Sequence, residues 1–299
     1  MYLKALITFV PLVASAILSP RQAAPTEIYR FQNGWIENLA THSNGALLVT
    51  RMDQPDLWSV NPSSKTATKL YTFPDAYATG GLVEMSPNIW AVITGKYRSG
   101  TNTPGSWGIW KVDLTGPTAK ASVVKVVPES KLFNGLAKFE HDKTNNTLLI
   151  GDAAAGAVYK MNFSTGAYSI LLADKSMNPQ GFLPFGIDGM KFFNGSLYFT
   201  NIGQNTFNRL PIDTAGKPGS VSTIFNNSPG DDFIFDAAGN AYIATNTQNS
   251  VIKVDPAGKV TKLATVQGST STTLGRAEKD GNVLYIGSSQ GTISAITVK

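Results

Sequence analysis

Six segments of one design follow one another along this chain. Each has a short apolar strand, a turn rich in Gly, Asn or Asp, a second apolar strand, and two further strands that alternate apolar and polar. The register residues are Glu37 in ENLATHSNGALLVT, Gly80 in GGLVEMSPNIWAVIT, Asn134 in NGLAKFEHDKTNNTLLIGD, Asp188 in DGMKFFNGSLYFTN, Asp231 in DDFIFDAAGNAYIAT and Leu274 in LGRAEKDGNVLYIG. Successive gaps of 43, 54, 54, 43 and 43 residues fall in the range of four-stranded blades. The array therefore predicts an all-β fold, a six-bladed β-propeller of four-stranded blades, as one domain over residues 26–299.

Within each repeat the first strand is the most apolar, as in NGLAKF, because an innermost strand is packed on both faces and should line the central tunnel. Third strands such as LWSVNP, GIWKVDL and SVIKVDP alternate as half-buried strands do. A fourth strand precedes each next register residue, but the chain stops at Lys299 without one for the last repeat. The missing strand is supplied by EIYRF at Glu27–Phe31, so the N-terminus closes the ring and leaves no open edge between first and last blades. With no cysteine anywhere, stability has to come from the core and this closure.

Residues 1–19 read as a secretory signal: Lys4, then ALITFVPLVASAIL, with cleavage falling between Ala16 and Ala24. Pro11 and Pro20 interrupt the run, which makes a membrane-spanning helix a poor reading. Asn145, Asn162, Asn194 and Asn226 head Asn-x-Ser/Thr sequons and become glycosylation candidates on a secreted or vacuolar route. The formal charge is +5, and part of it, Lys4 and Arg21, lies in the leader region; without a Lys/Arg run this argues against nucleic acid. A monomer acting on a small molecule is the expectation.

In-phase repeats bring their register residues to one mouth of the tunnel. Four of them, Glu37, Asn134, Asp188 and Asp231, carry oxygen donors, a set suited to a hard divalent cation such as calcium, magnesium or manganese. The competing reading is that they satisfy loop backbone groups around a water-filled tunnel. Asp231 and Asp232 are adjacent on a strand and point to opposite faces, so one of them is structural. His42 and His141 fall at the far end of inner strands, which disfavours a Ser-His-Asp arrangement. No P-loop and no Gly-rich strand-to-helix motif supports a nucleotide cofactor. Trp35, Tyr77, Trp107, Phe133, Phe182, Phe185 and Phe233 gather around the same mouth as substrate-contact candidates, with blade packing as the alternative. Two long connections, 96–108 and 174–185, hold Trp107, Phe182 and Phe185 and are placed as lids. Arg276, in the inner strand of blade six, is expected to pair with a ring carboxylate or to bind a ligand oxygen.

The ENLA, NGLA, DGM and DDFIFD segments, each followed by a Gly/Asn turn and an LYxT-like strand, resemble the senescence-marker-protein/gluconolactonase superfamily of six-bladed propellers. That resemblance implies one divalent metal held by Glu37, Asn134, Asp188 and Asp231. Asp188 stands where the family commonly has Asn, and Asp232 replaces a usual Gly, which sets sugar-lactone specificity apart. Among members the chain is most similar in character to fungal hetero-Diels-Alderases, which implies dehydration of a hydroxymethylated aromatic to a quinone methide and cycloaddition with an alkene. Glu37, Asp188, Asp231 and Arg276 are taken as the catalytic candidates. Three functions stay open at this point: a cyclase of an apolar intermediate, a metal-dependent lactonase or esterase, and a binding propeller without chemistry.

Overall fold

Four-stranded antiparallel sheets recur six times in the computed structural model, which describes residues 24–181 and 184–298. The leader and Phe182 lie outside the described residues. The innermost strands are Ile36–Thr41, Ala78–Ser86, Phe133–Lys138, Ile187–Phe193, Phe233–Phe235 and Ser269–Leu274, and they open blades 1 to 6. No α-helix occurs among the described residues; two short 3-10 turns, Lys175–Met177 and Asn246–Gln248, sit in connections. No described helix is long and apolar enough to cross a membrane.

The closure read from the sequence is present. Thr26–Arg30 pairs antiparallel with Thr292–Thr297, Thr26 opposite Ala295 and Arg30 opposite Thr292, and completes blade 6. Ile28 and Tyr29 pack on the cluster that joins blades 6 and 1. Deleting Thr26–Arg30 is expected to lower the melting temperature by about 5 °C or more and to cause association that grows with concentration. Thermal melts with light scattering check this; an unchanged melt would mean the ring does not depend on the strand.

Six apolar clusters hold the molecule together, one at each blade interface. Their members are aliphatic and aromatic residues, mainly from first, second and third strands, which pack face to face as neighbouring sheets do. The outer strands are mostly exposed, and Val123, Val126, Ile170 and Val260 on them are among the large apolar residues left to solvent.

Inner strands of neighbouring blades share no regular ladder, so backbone groups there need other partners. The hydroxyl-rich strand of blade 6 supplies several. Thr270 Oγ1 donates to Ile36 O at 2.8 Å, Ser271 Oγ accepts from Leu39 N at 2.8 Å, and Thr272 Oγ1 donates to Tyr242 O at 2.7 Å. These bonds also correct one register assignment. The pairing irregularity of blade 6 lies between Ser269 and Ser271, matching the one between Ile36 and Asn38 in blade 1, so the sixth register residue is Thr270 and not Leu274. Leu274 lies near the far end of the tunnel, where its carbonyl accepts from Thr41 Oγ1 at 2.7 Å. Strand-turn-strand spacing identified the blade but could not locate a bulge inside a Ser/Thr run that carries no Gly or acid.

Candidate functional site

Bulges recur at one height around the ring, and they decide where side chains point. Register shifts occur at Ile36/Asn38, Thr79/Leu82, Phe133/Leu136 and Ile187/Met190, so Glu37, Gly80–Gly81, Asn134–Gly135 and Asp188–Gly189 are the unpaired residues of blades 1 to 4. In blade 5 Asp231 and Asp232 precede the strand, held by Asp231 N–H to Ala244 O at 2.8 Å and Asp232 N–H to Thr270 O at 2.9 Å. A bulge re-aims its extra residue out of the alternation, here toward the tunnel. Glycines next to the oxygen donors let blades close on one another: a Cβ at Gly135 would stand 2.1 Å from Asp188 O, and one at Gly189 would stand 2.6 Å from Asp232 Cα.

Glu37, Asp188 and Asp231 converge. One oxygen from each lies within 4.8 Å of the others, and all three side chains are buried. Burial pushes the Glu37 carboxyl up to about 7; the Asn134 side chain opposes this, the charge of Asp232 adds to it, and Trp35 opposes it. Burial also raises Asp188 well above the carboxylate range, reinforced by the charges of Glu37 and Asp232. Asp231 is raised by burial and then by Asp188 and Glu37, against a hydrogen bond from Asn246 Nδ2 at 3.1 Å. Asp188 Oδ1 is buried with no hydrogen-bond partner. Three like charges in one dry cluster cannot all persist alone, so the group either keeps protons or takes up a cation. The donor set of three carboxylates and the buried Asn134 carboxamide, all oxygen, with one orphaned buried oxygen, fits a hard divalent ion.

Asp232 points elsewhere. It pairs with Lys191, whose Nζ reaches its two oxygens at 2.7 and 2.9 Å, and so it is the structural member of the Asp231-Asp232 pair. Arg276 is also away from the trio. It donates to Thr41 O at 3.1 Å and to Glu84 at 2.6 Å, at the far end of the inner strands, so its partner is Glu84 and not a ring carboxylate. With the blade 6 register corrected by four residues, Arg276 follows the end of its strand and belongs to the opposite mouth.

The aromatic candidates divide in two. Trp107, Phe133 and Phe233 are fully buried, and they are core and not ligand contacts. Trp107 covers Gly95, where a Cβ would be 2.3 Å from its ring, and its indole N–H donates to Asn102 Oδ1 at 2.8 Å, anchoring the hairpin of the long connection. Phe133 meets Tyr159 edge-on, and Phe233 meets Phe207 edge-on. Tyr77 is exposed and lies under the Arg98 guanidinium at 4.2 Å. Trp35 and Phe185 are half-buried, both against the cluster between blades 2 and 3, and the buried Trp35 indole N–H acts on the Glu37 carboxylate without reaching full hydrogen-bond geometry.

Tyr97 was not singled out by the sequence. It opens a two-residue strand, Tyr97–Arg98, that pairs with Thr101–Asn102 across Ser99-Gly100, both with positive φ. Ser-Gly is a hairpin signal, so the turn was legible, but which residue it aims at the mouth was not. Burial and then the Glu37 charge push the Tyr97 hydroxyl up, so it stays protonated beside the trio. His42 and His141 are far from it, stacked near Trp90 and against Phe139 and Phe192. Of the sequons, Asn145 and Asn194 are exposed at left-handed turn positions and Asn226 is exposed; Asn162 is half-buried, its Oδ1 accepting from Ser164 N and Thr165 N.

The fold is a six-bladed propeller, an architecture shared with solved regucalcin and gluconolactonase structures. A calcium-binding regucalcin of Agrobacterium tumefaciens superposes with a TM-score of 0.67 at 14% identity, covering 93% of this chain and 94% of that one. A solved structure assigned as a gluconolactonase superposes with a TM-score of 0.68 at 15% identity, covering 93% of each. By sequence the chain is similar to a provisionally named hetero-Diels-Alderase of Phoma sp, 26% identical across 87% of this chain and 85% of the relative. A second protein so named, from Sarocladium schorii, is 22% identical across 87% of this chain and 76% of its own length. No protein-family model matches the chain.

Proposed function

We propose that this protein is a cyclase of hetero-Diels-Alderase type, working at the mouth formed by Glu37, Asn134, Asp188 and Asp231 on an apolar aromatic intermediate. The observation that carries the reading is a trio of buried carboxyl groups whose proton affinity is raised, with half-buried Trp35 and Tyr97 acting on Glu37. The named relatives support the reaction class. The substrate carries a hydroxymethyl group next to a ring hydroxyl. Its C–O bond breaks, the leaving hydroxyl takes a proton from the trio and departs as water, and the ring hydroxyl returns a proton as its electrons form the quinone methide. An alkene then adds, forming one C–C and one C–O bond with no further proton transfer. The chain orients the ring on its aromatic side chains, holds the proton at Glu37, and offers the protonated Tyr97 hydroxyl as a donor.

The test is an o-hydroxybenzyl alcohol supplied with a strained alkene. The expected product mass is the sum of the two reactants less one water. The rate is expected to survive chelator, to fall about a hundredfold or more in Glu37→Gln, and to decline as pH rises through about 7, where Glu37 loses its proton. Abolition of the rate by chelator, with recovery on adding calcium, would overturn this reading.

A second reading is favoured by the orphaned Asp188 Oδ1. Glu37, Asn134, Asp188 and Asp231 would hold a divalent cation, which supplies Lewis-acid polarisation of a lactone or ester carbonyl. Metal analysis of the purified protein and lactone hydrolysis before and after chelation separate the two readings.

A further inference from the structure

The tunnel has a second mouth, and its chemistry differs from that of the first. A cavity of about 480 Å³ opens at the far ends of the inner strands, within the roughly 300–1,000 Å³ typical of small-molecule sites. Each blade gives it at least one large apolar residue, among them Leu39, Leu82, Leu136, Phe192, Ile234 and Leu274. The rim is fixed by the Arg276 bonds to Thr41 O and Glu84, which tie blade 6 to blades 1 and 2.

Charge defines what such a cavity can take. Lys138, Lys191 and Arg276 line it together with Glu84 and Glu140, and Asp232 sits beneath Lys191, so three positive groups meet three negative ones. A balanced set carries no net charge to draw in an anion or a cation, and favours a neutral ligand. Lys191 spends two of its three ammonium protons on Asp232, lies over the Phe233 ring at 5.5 Å and makes no further hydrogen bond among the described residues, while its side chain is 23% exposed and lines the cavity. A donor in an apolar chamber selects a ligand that brings an acceptor, because leaving it unpaired costs free energy.

We infer that this mouth is a second binding site, separate from the carboxylate mouth, for a neutral apolar molecule whose ketone, ether or hydroxyl oxygen accepts from Lys191. It does not depend on the reaction proposed above. The ion pair between Asp232 and Lys191 forms the floor, and it places the ligand oxygen below the Glu37 layer with the hydrocarbon body toward the rim.

The test uses a neutral, environment-sensitive naphthyl ketone titrated into the full chain and followed by its emission shift. One probe per chain is expected. Filling the cavity from two different blades, with Ala40→Phe and separately Ile234→Trp, should weaken binding about tenfold or more, while Glu37→Gln leaves it unchanged. The paired replacement of Lys191→Met with Asp232→Asn leaves no buried charge unmatched; it should weaken the ketone several-fold and leave an unsubstituted naphthalene unaffected. Melting curves establish that each variant is folded. Absence of binding to the parent chain would overturn the inference, as would binding undiminished in both filled variants, loss of binding in Glu37→Gln, or equal effects on ketone and hydrocarbon.

Discussion

Glu37→Gln is expected to stabilise the chelator-treated protein at about pH 8, raising its melting temperature by about 5 °C, although the same change is expected to lower the proposed cyclase rate. The reason is linkage. Glu37 is held at about 7 in the folded chain against an ordinary value of 4.5, so the folded state binds its proton more tightly than the unfolded chain does. Stability from this group is fully present below 4.5 and is lost as pH rises through about 7. Above that the deficit is roughly 3 kcal/mol, from about 1.4 kcal/mol for each tenfold difference in proton affinity between the folded and unfolded chain. Gln has no such titration, so its melting temperature should be flat where the parent's falls. Part of the gain is offset by burying an amide, which makes the smaller temperature change the realistic one. Excess calcium reverses the order if the trio takes up the ion, since binding to the folded state alone stabilises the parent. Melts from about pH 5 to about pH 8, with and without calcium, check both statements. A parent whose stability rises across that range in chelator would mean the trio is solvated and carries no strain of charge.

Gly135→Ala is expected to cost about 3 kcal/mol, the upper part of the usual overpacking range, and to displace Asp188 from the trio. A Cβ at Gly135 would meet Asp188 O at 2.1 Å and Met190 N at 3.1 Å, both backbone atoms of the next blade. Relief requires moving one inner strand relative to another at the height of the carboxylates. Gly151→Ala is the control. There the nearest atom is the Met190 sulfur at 2.6 Å, the flexible part of a side chain, so the cost should be clearly smaller. Denaturant unfolding of both variants, with cation uptake or activity measured alongside, checks the difference. Equal costs would show that the blades can slide at this level.

The two variants also mark how far the residues could be read without coordinates. Asn134-Gly135 and Asp188-Gly189 look alike in sequence, and their spacing correctly predicted a shared mouth. Blade 6 has Thr270-Ser271 at the same place, with neither acid nor glycine, and there the register slipped by four residues and carried Arg276 to the wrong end. The aromatic candidates failed for a different reason. Trp107, Phe133 and Phe233 were placed near the mouth by position alone, and burial, which depends on facing blades, assigned them to the core. Tyr97 was passed over because its approach to Glu37 depends on how a hairpin folds back over blade 2.

By itself the amino-acid sequence determined the blade number, the closing strand at Thr26–Arg30 and the identity of three of the acids at one opening, because repeat length and strand alternation are local properties of the chain. Tertiary structure alone decided that bulges turn Glu37 and Asp188 inward and that Asp232 is the member of its pair that turns away to Lys191. It also decided that a second, charge-balanced chamber lies behind them. Side-chain direction and burial are set by contacts between blades distant in sequence, and no local pattern encodes them.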